Sequence, residues 1–161
     1  MIEDVTVKRA PGFRVVSVPG PTYDEFTDEA FGELYKRLEA WLVKNGLKPK
    51  EWISHFYESP DSSPEQGRSE ACISFVGNCS SSEGIEVKDI PGELVASFTT
   101  TLDRVETPED VYERIYNWIS RNGYSASGSR LVREVYRVDP WEAEASETQV
   151  EFQVPIKRAE Q

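Results

Sequence analysis

A single carboxylate stands out as a candidate for chemistry. In the segment Leu131-Val132-Arg133-Glu134-Val135-Tyr136-Arg137-Val138, strand alternation puts Val132, Glu134, Tyr136 and Val138 on one face and Leu131, Arg133, Val135 and Arg137 on the other. Glu134 thus shares the more apolar face, where an unpaired carboxylate is costly. Three roles fit it: counter-charge for a cationic ligand, general acid or base with a pKa raised by burial, or a strand-edge carboxylate paired with a nearby Lys or Arg. Tyr136 accompanies it, and Tyr57 takes a matching position on an earlier strand. Tyr112 and Trp118 lie on a helical stripe, and together these four are candidates for an aromatic wall beside the carboxylate. Tyr35 and Trp41, at helical spacing, are assigned to packing, and Trp141 to a lid or a surface position.

His55 is the one histidine. It reads either as the first-half counterpart of Glu134, across a shared cleft, or as a structural histidine. The two cysteines, Cys72 and Cys79, make neither a metal-ligand spacing nor a disulfide framework. Cys72 falls in an alternating run and is assigned to the core. No metal and no cofactor is expected, and no nucleophile elbow or phosphate loop is present.

The elements that must position these residues repeat. Residues 5–18, VTVKRAPGFRVVSV, match residues 85–98, IEVKDIPGELVASF, each reading as two short strands around a Pro-Gly turn in which glycine supplies a positive φ. WLVKNG at 41–46 matches WISRNG at 118–123, each closing a helix on Asn-Gly. The first helix begins near Thr27 and carries Phe31, Leu34, Tyr35, Leu38, Trp41 and Leu42 on one stripe. The second begins at Thr107-Pro108 and carries Val111, Tyr112, Ile115, Trp118 and Ile119. Two strands follow each helix, near Ile53–Glu58 and Glu70–Val76, then near Leu131–Val138 and Thr148–Ile156; Glu70 corresponds to Glu151. The chain is therefore expected to be one α+β domain of two strand-strand-helix-strand-strand repeats, about 1–78 and 84–158, joined by GNCSSSEG. Pseudo-twofold packing, antiparallel sheets with the helices on one side, and a cleft between the halves are expected to follow.

The 161 residues suit one well-buried domain. Eighteen Lys and Arg against 29 Asp and Glu give a net charge of −11 without a basic cluster, which argues against direct nucleic-acid binding. No apolar run approaches a membrane span and no secretory leader is evident, so a cytoplasmic protein is expected, of open oligomeric state.

The duplicated pattern, with VPGPTYDEF before the first helix, VREVYRVDP after the second and VEFQVPI at the close, resembles the gyrase-inhibitor-like (GyrI-like) effector-binding domain. That domain also forms the ligand-binding part of multidrug and AraC-type transcription regulators. The resemblance runs from about Val5 to Ile156, and beside it no room is left for a helix-turn-helix. It implies a pocket between the halves, with Glu134 at the position of the acidic residue that relatives use for lipophilic cations. Three functions are in play. One is binding of a hydrophobic or cationic small molecule, for sensing or sequestration. Another is hydrolysis of strained, cyclopropane-bearing electrophiles by Glu134 with Tyr57 or Tyr136. The third is inhibition of a topoisomerase through an acidic, protein-binding surface.

Overall fold

The computed structural model of the chain describes residues 4–25, 27–57, 68–127 and 131–159, with the side chains of Tyr23, Tyr57 and Leu131 outside the described set. The chain forms β1 (Thr6–Ala10), β2 (Phe13–Thr22), α1 (Asp28–Lys44), β3 (Pro49–Tyr57), β4 (Arg68–Phe75), β5 (Glu86–Ile90), β6 (Glu93–Thr101), α2 (Pro108–Arg121), β7 (Tyr124–Ala126), β8 (Leu131–Tyr136) and β9 (Gln149–Arg158). The α+β class is as expected; β7 was not anticipated.

Local chemistry sets the helix ends. The Thr27 hydroxyl accepts from the Ala30 N–H at 3.0 Å and the Thr107 hydroxyl from the Asp110 N–H at 3.3 Å, satisfying donors that the first helical turn leaves open. At the other end of α1 the chain leaves through Gly46 at φ 72°, with the Leu47 N–H bonded to the Leu42 carbonyl at 2.9 Å. Gly123 follows Asn122 in the same way at φ 80°.

All strand pairs are antiparallel. The sheet runs β1-β6-β9-β8-β3-β4-β2-β5, with β7 pairing β9 beyond the end of β8. The β3–β8 pair is central, with β4, β2 and β5 on one side and β9, β6 and β1 on the other. Both helices pack on one face. α1 covers Val16, Val18, Ala71 and Ile73, while α2 covers Ala96, Phe98, Val150 and Phe152. The face without helices buries Phe13, Val15, Ile53, Cys72, Ile90 and Val135.

The two Pro-Gly segments do not make hairpins. β1 pairs with β6 and β5 pairs with β2, so each first strand crosses to the strands of the other segment. The crossings touch. A Cβ on Gly12 would stand 2.8 Å from the Ile90 carbonyl oxygen, and one on Gly92 would stand 2.8 Å from the Ala10 carbonyl oxygen. Neither glycine has a positive φ, contrary to the expectation from the turn sequence. They are glycine because two backbones pass each other, not because of turn geometry. Among the described residues no helix is long and apolar enough to cross a membrane.

Because the atom struck is backbone on both sides, Gly12→Ala and Gly92→Ala should each cost more than ~2 kcal/mol. Gly46→Ala, with open space around it but a left-handed backbone, should cost about 1 kcal/mol. Urea denaturation of the three variants checks the order.

Candidate functional site

The central strand pair fixes the site. Its register sets Ser54 opposite Glu134 and Phe56 opposite Val132, so these four share the helix-bearing face, with Tyr136 two residues beyond Glu134. α1 supplies Asp28 and Phe31 above them; α2 and the segment before it supply Leu102, Val105, Glu106, Pro108, Glu109 and Tyr112. Phe152 of β9 and the pair Pro140-Trp141, from the β8–β9 connection, complete a cavity of about 570 Å³ between the helices. This lies within the range of small-molecule pockets.

Glu134 lies at the bottom, 8% exposed. The Tyr112 hydroxyl donates to its Oε2 at 2.9 Å and the Tyr136 hydroxyl to its Oε1 at 3.4 Å. Burial pushes its carboxyl up to about 7. The two tyrosine bonds pull against that, and the charges of Asp28 and Glu109 add to it. Burial, and then the charge of Glu134, also raises the Tyr136 hydroxyl well above 10. The Tyr136 hydroxyl therefore keeps its proton near neutral pH. No Lys, Arg or His is among the described residues that line the cavity, whereas Asp28, Glu106, Glu109 and Glu134 all are. Between Glu134 and the exposed Asp28, Glu106 and Glu109 stand Phe31 and Phe56, stacked at 6.2 Å, and Tyr112, edge-on to Phe152 at 5.4 Å.

The opposite face treats its carboxylates differently. Glu70 takes the Lys88 ammonium at 2.6 Å and lies 3.6 Å from His55 Nδ1, and its carboxyl falls to about 2 against the pull of burial. Glu151 takes Lys8 at 2.6 Å and is likewise lowered. Arg133, wholly buried, is held by Glu93. Buried glutamates thus occupy both faces, but among the described residues only the helix-free face gives them cations. Among the described residues Glu134 has no ion-pair partner; the side chains bonded to it are tyrosines.

The placements of the sequence candidates follow from register. Glu134, Tyr136 and Tyr112 converge. Trp118 stacks on Tyr124 at 6.1 Å, at the far end of α2, and does not line the cavity. His55 is opposite Arg133, on the other face, so Ser54 and not His55 stands across from Glu134. The Tyr57 side chain lies outside the described set. The sequence reading missed Phe31, Phe56, Phe152 and the acidic start of α2. Phe56 and Phe152 had a usable signal, since each shares strand parity with Ser54 or with the apolar face of β9. For metals, His55, Glu70 and Cys72 offer ligand atoms within 4.8 Å of one another. A divalent ion there would displace a proton from the fully buried Cys72 thiol, which burial and Glu70 push well above 9, and would sit beside Lys88 and Arg133. That donor set does not fit a resident cation.

Known proteins share this fold. Residues 3–157 match the GyrI-like small molecule binding domain, and the chain belongs to that family. It is 26% identical over 108 residues to a DNA gyrase inhibitor of Citrobacter koseri, covering 63% of this chain and 68% of that one. Its fold is shared with the EcmrR C-terminal domain at a TM-score of 0.76 and 17% identity, covering 99% and 100% of the two chains. It is shared also with SAV2435 bound to tetraphenylphosphonium at a TM-score of 0.62 and 11% identity, covering 96% and 94%.

The Glu134 shift has a stability consequence of definite sign. Well below pH 4.5 both folded and unfolded chains hold the proton. Between there and about pH 7 the unfolded chain ionises first, so stability is lost as pH rises. Glu134→Gln should match wild type at pH 4 and exceed it by up to ~3 kcal/mol at pH 8, read by urea denaturation at both pH values.

Proposed function

We propose that the cavity binds a hydrophobic organic cation, with Glu134 as its counter-charge and the aromatic side chains as its walls. The observation that carries this is a buried carboxylate with tyrosine partners and no cation among the described residues, in an aromatic cavity ringed by three further acids. An unpaired buried carboxylate holds its proton and costs stability, and a cation that displaces the proton would recover part of that cost. Aromatic faces attract the same ligand through their quadrupoles. Tetraphenylphosphonium in the similarly folded SAV2435 is a hydrophobic cation of this kind. The role is sensing or sequestration, since a pocket with these properties needs no further group to hold its ligand.

Calorimetric titration with tetraphenylphosphonium and with neutral triphenylphosphine oxide tests this. Cation binding must expel the Glu134 proton below about pH 7, so affinity should fall about tenfold per pH unit there and level off above it. Neutral binding should be flat with pH. Glu134→Gln should lose at least tenfold in cation affinity and keep the neutral ligand. Equal, pH-independent binding of both probes would remove the counter-charge role.

A second reading rests on the same carboxyl. A group titrating near 7 beside two tyrosine hydroxyls is poised for general base and acid work. With a cyclopropane-bearing electrophile, Glu134 would take a proton from water as its oxygen bonds to the strained carbon. The ring C–C bond would open, and its electron pair would move to a conjugated oxygen that takes a proton from Tyr112 or Tyr136. Mass-spectrometric detection of a hydrated product, absent with Glu134→Gln, distinguishes turnover from binding.

A further inference from the structure

The cavity is lopsided in a frame whose two sides match. Moving outward from the central pair, Ile53 faces Cys72 and Val15 faces Ser74 on one side; Arg133 faces Gln153 and Val95 faces Pro155 on the other. Ser54 and Glu134 face each other across the middle. Tyr35 and Tyr112 stand at the same distance before the Asn caps of their helices. The Tyr35 hydroxyl is 3.0 Å from Ser54 Oγ, just as the Tyr112 hydroxyl is 2.9 Å from Glu134 Oε2. These matched contacts support treating the two tyrosines as equivalents.

Their surroundings are not equivalent. Tyr112 lines the cavity and is partly exposed, whereas Tyr35 is wholly buried and does not line it. The indole of Trp141 covers Tyr35, with ring centroids 5.0 Å apart at 42°. It rests on Gly32, where a Cβ would stand 2.8 Å from Trp141 Nε1 and 3.0 Å from Cδ1. The residue at the matching place on α2 is Glu109, on the open side of the cavity. Trp141 itself is 39% exposed and belongs to the β8–β9 connection, not to a strand or helix. Its N–H is held by Asp139 Oδ1 at 3.0 Å, and the Asp139 carboxylate in turn bonds Glu39 of α1.

We propose that Trp141 is a built-in surrogate ligand. Its indole fills a second aromatic subsite, floored by Gly32 and walled by Phe31 and Tyr35, that receives a planar two-ring aromatic group when the indole swings aside. This rests on the cavity being a ligand site but not on its preference for cations. The subsite is aromatic on two sides and roofed by a side chain already in contact with water, so vacating it uncovers Tyr35 without moving a strand or helix. A ligand that reached both lobes would bind by displacing Trp141, and its apparent affinity would carry the cost of moving the indole out.

Free indole is the probe. Trp141→Ala should bind indole saturably and at least tenfold more tightly than wild type, by calorimetry or ligand-observed NMR. The Trp141→Ala/Glu134→Gln double variant should bind it equally well, so loss of the counter-charge role leaves this result standing. Gly32→Ala is the independent arm. The added methyl meets the end of a movable side chain, and alanine favours the helix, so the variant should fold while its indole is pushed off the seat. Its tryptophan emission should shift to the red, with greater acrylamide quenching. Indole binding by Trp141→Ala no tighter than by wild type, or Gly32→Ala fluorescence unchanged from wild type, would overturn the proposal.

Discussion

The pairing of β3 with β8 is the constraint on which the rest of the structure depends. It joins the strands on either side into one continuous sheet, and it places Ser54 and Glu134 against each other in the middle of that sheet. A side chain there has strands on both flanks and helices above it. The path left from Glu134 toward solvent is the gap between α1 and α2, and that gap is the cavity. The unusual carboxyl is therefore a product of position: desolvation raises it, neighbouring acids raise it further, and two tyrosine hydroxyls offset only part of this.

The contrast with the other face gives this its meaning. Glu70 and Glu151 expose as little surface as Glu134, yet their carboxyls are lowered: His55, and Lys88 of the crossing strand β5, reach Glu70, and Lys8 of the crossing strand β1, with Gln153 and Ser97, reaches Glu151. The exchange of these two strands, which brings the backbones of Gly12 and Gly92 together, thus also delivers the lysines that neutralise the helix-free face. No corresponding cation arrives on the helix side from the described residues. On one face of the sheet Glu70, Glu151 and Glu93 are met by cations of the chain, and on the other Glu134 stands at a space of ligand size. A protein that needed only stability would be served better by an apolar residue at position 134.

Membership of the GyrI-like small molecule binding family fits a frame of this kind, in which strands and helices enclose an interior that side chains shape. Here the interior is one-sided. Ser54 lies opposite Glu134, and a tryptophan from a connecting segment lies over Tyr35 while Tyr112 stays open to the cavity. The cavity is left with one acidic lobe that is open and one aromatic lobe that is covered.

Much of this was readable along the chain because it depends on near neighbours. Helix stripes, threonine caps, Asn-Gly exits and the shared face of Val132, Glu134 and Tyr136 follow from periodicities of a few residues, and all are present in the structure. What periodicity cannot carry is register between strands far apart in sequence. A shift of one residue in β3 against β8 decides whether Ser54 or His55 meets Glu134, and alternation within either strand is the same in both cases. The crossing of β1 and β5, and hence the real reason for Gly12 and Gly92, is likewise a pairing choice made at long range. Trp141 belongs to neither period, so its seat on Gly32 existed only once the β8–β9 connection had folded over α1. The sequence by itself determined the helices and the eight longer strands and which side chains each presents; the tertiary structure alone decided which of those faces meet, and added β7 on the edge of β9, because partner choice is settled by packing across the whole sheet.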